Sequence, residues 1–241
     1  MSMFRSLLMA GGGPGYVPGM LMHLDGIDNV GSGSLDTAAT TWKDLTGNGF
    51  DAVPRNPRAV LLWSENGGLL GDGRDRILKV ADGLSPLTGC TEFTIELAYY
   101  LPGKGSAWWL NNRNPWNTSA TTGFQVYTWN STGINVACMS GPGNPQWTIP
   151  VSSATSHHTI AFTYANGTAA VYADGSFAGA EAVRMTQEQI ENTPFYVNGV
   201  EGGGFSMSEG FRILGVRIYP RALESGELAV NAALDQARYF N

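Results

Sequence analysis

Between Gly103 and Trp147 the chain is at its richest in aromatic rings and side-chain amides: SAWWLNNRNPWNTS, FQVYTWN, GINVACMS and GPGNPQW. That pairing of residue types suits sugars. The apolar C–H face of a pyranose packs on an exposed ring, while its hydroxyls need fixed amide, guanidinium or hydroxyl partners. Asn111, Asn112, Arg113, Asn114, Trp116 and Asn117 offer both kinds of group in one stretch. Phe124, Val126 and Thr128 alternate with Gln125, Tyr127 and Trp129, which puts polar-tipped aromatics on one side of a strand. The candidate ligand residues are Trp109, Asn111, Arg113, Trp116, Tyr127, Trp129 and Trp147. A single Trp is more often a core residue than a binding residue. Adjacent Trp108 and Trp109 must face opposite ways in a strand, so at most one of them belongs to the core.

Other chemistries find less material. Asp25, Asp28 and Asp36 lie in a turning, Gly-rich stretch and could supply oxygen ligands to a structural calcium ion. Asp beside Gly is more often a side-chain cap of a turn. No other cofactor is expected. Glycoside hydrolysis needs two carboxylates facing each other across the sugar, and no ExDxE-like triplet occurs. Glu96 projects from the face opposite Phe93, Ile95 and Leu97 and reads as a paired strand carboxylate. His157 and His158 are neighbours on a strand, face opposite ways, and read as structural. With no nucleophile and base constellation and no phosphate-cradling loop, a non-enzymatic protein is expected. Cys90 and Cys138 show no CxxC spacing and no His companions, so both read as buried free thiols.

The elements that would position these groups are strands. Ile160, Phe162 and Tyr164 alternate with Thr159, Ala161 and Thr163, the two-residue period of a half-buried strand. Asn166-Gly167 then turns the chain back as a type I′ hairpin, Ala169–Ala173 returns, Asp174-Gly175 turns again, and Ser176–Ala180 completes a β-meander. Phe93–Leu101 reads as a central strand ended by Pro102-Gly103. Met20–Leu24, Phe195–Val197 and Phe211–Tyr219 are further strands, and Leu69-Leu70 and Ile77–Val80 flank a turn at Gly71–Arg76. Thr186–Ile190 could form one short helical turn. Ser225 is a candidate N-cap for a peripheral helix from Gly226 to about Tyr239.

The order of SHHTIAFTYANGTAAVYADGSFAGA (156–180), with LLGDGRDRILKV (69–80), FTIELAYYL (93–101) and FRILGVRIYPRALESGEL (211–228), resembles laminin-G-like domains. These belong to the concanavalin A-like lectin/glucanase superfamily. The resemblance spans Met22 to Phe240, and TTWKDLTGNGFDA and NAALDQARYFN resemble a variant found in gut bacteria and their phages. It implies an all-β fold, an antiparallel β-sandwich (jelly roll) with a short C-terminal helix. It implies function far less, because this fold hosts binders, enzymes and structural modules alike. The chain departs from the family at Arg76 and at Leu214-Gly215, where an Asp-Glu pair is frequent.

Of 241 residues, 43% are apolar and only 14% charged, enough for a full core under a polar, lightly charged surface. The net charge of −6 and the lack of a basic patch argue against nucleic acid or an anionic membrane as partner. Residues 1–19 read as a Gly-rich N-terminal arm and 20–241 as a single sandwich domain. The start MSMFRSLLMAGGG holds an apolar run too short for a secretory signal or a membrane span. The expected function is a carbohydrate-binding adhesion module of a phage virion or cell-surface assembly, with a cell-surface glycan as ligand. Virion proteins would be met through the arm, and a homo-oligomer is expected. The alternative is a virion decoration protein without a glycan ligand.

Overall fold

The structure is a computed structural model that describes residues 15–74, 76–80, 85–103, 105–114, 122–131, 134–140, 146–149, 156–183, 194–200 and 206–240. Its strands form two seven-stranded antiparallel sheets. Sheet A runs in the order β1 (Met22–Asp25), β14 (Arg212–Tyr219), β5 (Phe93–Leu101), β10 (Ser156–Ala165), β11 (Thr168–Ala173) and β12 (Ser176–Ala182), with β3 (Leu69–Leu70) added on β14. Sheet B runs β2 (Ala52–Pro54), β4 (Leu78–Val80), β13 (Tyr196–Val197), β6 (Gly105–Asn114), β7 (Thr122–Ser131), β8 (Ile134–Ser140) and β9 (Gln146–Ile149). The expected β-sandwich is therefore the observed fold.

Alternation explains how the sheets meet. Phe93, Ile95 and Leu97 stand opposite Tyr164, Phe162 and Ile160 in the β5–β10 register, and all six are buried. From sheet B, Leu78, Val197, Leu110, Val126 and Val136 stand in one cross-strand row and enter the same core. Directly paired residues share a sheet face, so the partner rows one residue away must point outward.

The meander forms as the turn residues require. Asn166 and Gly167 have φ of 50° and 74°, and Asp174 and Gly175 have 49° and 77°, the left-handed pairs of a type I′ turn. Gly175 carries a second constraint: a Cβ there would lie 2.9 Å from Ala229 Cα, so the helix could not pack on the turn. The Gly71–Arg76 segment joins strands of different sheets, since β3 pairs with β14 and β4 with β13 and β2. Thr186–Ile190 lies outside the described residues.

Three expectations change. The C-terminal helix (Ser225–Tyr239) is capped by Glu224, in a capping box with Glu227, rather than by Ser225. It is also not peripheral: Leu228, Asn231, Asp235 and Tyr239 are buried against the outer face of sheet A. The arm is shortened as well, because Tyr16 and Val17 are buried in the domain. Tyr16 Oη donates to Asp235 Oδ1 at 2.8 Å, and the Val17 amide donates to Asn231 Oδ1 at 3.0 Å.

Candidate functional site

Sheet B presents the chemistry that suits a sugar. Lys79, Tyr196, Asn111 and Gln125 stand opposite one another across β4, β13, β6 and β7, on the face turned away from the core. In the neighbouring row Tyr127 stands between Trp108 and Asn135. Tyr127 is half-buried, while Asn111, Gln125 and Asn135 are 1%, 4% and 8% exposed. A band of amides with tyrosines beside it thus crosses the middle of the sheet.

A bulge decides which candidates belong to this band. Between Trp108 and Leu110 the β6–β7 register shifts, so that Trp109 is an extra residue on β6. Trp109 turns into the core at 0% exposure, packs on Tyr99 and Phe211 with ring centroids 5.1 and 5.5 Å apart, and donates its indole N–H to Thr128 Oγ1 at 2.8 Å. Trp109 is a core residue, which corrects its assignment as a ligand residue. Strict alternation would have kept Asn111 on the side of Trp109; the extra residue reverses the parity and turns Asn111 outward. The structure thus brings Asn111 and Tyr127 together on one face. Arg113, Trp129 and Trp147 lie in β6, β7 and β9, but their side chains, like all of Trp116, fall outside the described residues.

The aspartates proposed for calcium serve other ends. Asp25 is fully buried; its Oδ1 accepts from the amides of Ile27 and Asp28, and its Oδ2 meets Arg238 Nη2 at 2.7 Å. Asp36 Oδ1 caps the amide of Ala38. Among the described residues no group of three or more His, Cys, Asp or Glu could hold a metal ion. Asp25, Asp28 and Asp36 are therefore not grouped as a calcium site would need: Arg238 and turn amides engage the oxygens of Asp25, and Asp36 Oδ1 is turned to the Ala38 amide. Cys90 is a buried thiol, and the Cys138 side chain lies outside the described residues.

The outer face of sheet A is built from charge. His23, Arg217, Glu96, Ala161 and Tyr172 form its cross-strand row. Arg217 Nε donates to Glu96 Oε2 at 2.8 Å, and its Nη1 and Nη2 donate to Asp235 at 2.7 and 2.6 Å in a bidentate pair. Asn231 adds a bond to Glu96 Oε2 at 2.8 Å, and the Arg217 guanidinium lies 4.2 Å over the Tyr16 ring. Burial raises the Glu96 carboxyl above its usual range. Burial also works against the Arg217 charge, but Asp235 and Glu96 outweigh it and hold the guanidinium well above its usual value. Glu96 is thus the paired strand carboxylate its position announced. Asp235 was the missed member, because nothing in a helix pattern marks an inward Asp as the partner of a distant strand Arg.

His157 and His158 face opposite ways as expected. His157 Nε2 lies 3.2 Å from Arg212 Nη2 and its ring stacks on Phe240, while His158 Nδ1 lies 2.7 Å from Asp174 Oδ2.

With this geometry in view, a family profile settles the kinship. The Laminin_G_3 profile, described as concanavalin A-like lectin/glucanases superfamily, matches residues 72–229. The chain belongs to this family. Solved structures agree on the fold of the laminin-G-like domain. Trypanosoma rangeli sialidase in complex with sialic acid superposes with a TM-score of 0.67 at 15% identity, over 97% of this chain and 36% of that one. The botulinum neurotoxin type G receptor binding domain gives 0.58 at 14%, over 90% and 51%. The botulinum neurotoxin serotype D/C VPI 5993 binding domain gives 0.61 at 13%, over 90% and 52%. The chain spans between 36% and 52% of the length of these structures, and at such identities the likeness is one of fold. No curated protein matches the sequence.

Proposed function

We propose that this laminin-G-like domain is a non-catalytic carbohydrate-binding module that serves adhesion in a virion or cell-surface assembly, and that it holds a glycan on the outer face of sheet B around Tyr127. The observation that carries this reading is the band in which half-buried Tyr127 stands beside the amides of Asn111, Gln125 and Asn135 on one sheet face. A tyrosine ring offers a stacking surface with a polar tip, and neighbouring amides fix the direction of hydroxyls. The lack of catalysis is supported by sheet A, where Glu96 and Asp235 are both engaged by Arg217 and neither stands as a free acid or nucleophile. Relatives in fold are named as receptor-binding domains of neurotoxins, which is consistent with recognition by the same scaffold.

A glycan array probed with the full chain and with Tyr127→Ala tests the proposal. Binding to a defined set of glycans that is lost in the variant, with an unchanged melting temperature, supports it. Failure of the wild-type protein to bind any glycan at millimolar sugar would sink it.

A further inference from the structure

Arg76, Arg217, Arg221 and Arg238 each meet a carboxylate within 2.7 Å. Arg212, at the start of β14, does not. It is half-buried, burial lowers its pKa, and among the described residues only the Tyr100 hydroxyl, not a carboxylate, acts against that shift. A bulge sets its direction. The β14–β5 register shifts between Ile213 and Gly215, so Leu214 is an extra residue and Arg212 stands opposite Tyr100, which stands opposite His157. The three share one row on the outer face of sheet A. Arg212 and His157 line a cavity of about 490 Å³ between this row, the loop at 65–67 and the end of the C-terminal helix.

The Arg212 guanidinium is held in place by neutral groups. It lies 4.4 Å over the Tyr100 ring, and its Nη1 and Nη2 donate to Ser64 Oγ at 3.3 Å and His157 Nε2 at 3.2 Å, both long. A guanidinium only donates, so His157 Nε2 accepts and its ring is neutral with the proton on Nδ1. Burial and the Arg212 charge lower the His157 pKa in agreement with this. The two bonds use two of the five guanidinium N–H groups. The charge is thus positioned but not neutralised, and a planar carboxylate matches the remaining donors as a fork. Arg238, on the same wall, is already paired with Asp25. Glu65, exposed on the wall, repels a second negative charge, which favours a carboxylate over a phosphate dianion. The Asn66 amide and the side chains of Ile27 and Leu35, also on the wall, suit the hydroxyls and C–H groups of a sugar ring.

We infer that this cavity binds the carboxylate of an acidic sugar, with the Arg212 guanidinium as its counter-charge. The site stands apart from the outer face of sheet B and does not depend on glycan binding at Tyr127.

The test follows the His157 ring signals of the full chain by nuclear magnetic resonance while sodium glucuronate, neutral glucuronamide and sodium acetate are added in separate titrations. Glucuronate should shift these signals saturably. Glucuronamide keeps the ring without the charge, acetate keeps the charge without the ring, and each should bind about tenfold more weakly. No shift with glucuronate at about 50 mM, well past a millimolar dissociation constant, overturns the inference. Equal affinity for glucuronamide overturns the role of the carboxylate, and equal affinity for acetate overturns the sugar. In Arg212→Gln glucuronate affinity should fall about tenfold, and an unchanged affinity overturns the inference. If Arg212→Gln does not fold, Arg212→Lys keeps the charge without the fork and should still weaken binding; an unchanged affinity there counts equally against it. The Tyr127→Ala protein should keep the His157 response, and its loss would show one site, not two, and overturn the inference.

Discussion

The two outward faces of the sandwich are built on the same pleat and solved in opposite ways. On sheet A the middle row is His23, Arg217, Glu96 and Ala161, and a helix lies over it. On sheet B the middle row is Lys79, Tyr196, Asn111 and Gln125, neutral but for the lysine. Charges taken out of water must be matched at close range, and the helix supplies the match with Asp235 and Asn231. Buried amides also need hydrogen-bond partners, but they are cheaper to desolvate than charges. The charged face is therefore committed to its own helix, whereas the neutral row needs no counter-charge. The helix seals sheet A, while the proposed recognition is placed on the other sheet.

The sharpest way to break this contrast is Arg217→Ala. It leaves Glu96 and Asp235 buried without their counter-charge and should cost about 4 kcal/mol, read as a lower urea midpoint, while leaving glycan binding by the residual folded protein intact. A loss below about 1 kcal/mol would mean that the network does not hold the helix. Next in size is Trp109→Phe on the core side of sheet B. It removes part of the ring and leaves the Thr128 hydroxyl without its donor, for a loss of about 2.5 kcal/mol. Glycan specificity should not change, and a change would return Trp109 to the ligand surface.

His23 gives the charged face a pH signature. Burial pushes its pKa from 6.5 down to about 3, with Arg217 and Arg238 acting in the same direction and Asp235 and Asp44 against. The unfolded chain therefore binds a proton that the folded chain refuses. Stability is fully present above about pH 6.5 and is lost as pH falls toward 3. Between pH 7 and 5 the loss should reach about 2 kcal/mol, measured by urea unfolding against His23→Gln, whose loss should be smaller by that amount. Equal losses would place the proton uptake elsewhere. The smallest effect is expected for Tyr127→Ala: under about 0.5 kcal/mol in stability, but tenfold or more in affinity for any glycan found. A large stability change with no affinity change would make Tyr127 structural.

Legibility differed between scaffold and site for a physical reason. Phe93, Ile95 and Leu97, and Ile160, Phe162 and Tyr164, announced buried strand faces by period alone, and Asn166-Gly167 and Asp174-Gly175 announced their turns by tolerance of positive φ. Such signals are local, so they survive in the sequence. The site depended on parity, which one bulge at Trp109 reverses, and nothing local marks a bulge in a run of tryptophan, leucine and asparagine. The aspartates misled in a related way: Asp25 was polar and near glycine, as a calcium ligand would be, but its partner Arg238 lies at the far end of the chain.

What the sequence alone determined was the family, the antiparallel sandwich, the meander with its two turns, and the outward face of Glu96, because each follows from period, turn chemistry and residue order. Tertiary structure alone decided that the C-terminal helix seals sheet A rather than decorating it, since Arg217 and Asp235 meet only when strand and helix pack. It also decided that Tyr16 and Val17 belong to the domain, and that Trp109 and Asn111 part company across sheet B. Local patterns encode which way a backbone turns. Which buried charge finds its counter-charge is encoded only in the distance between elements once they are packed.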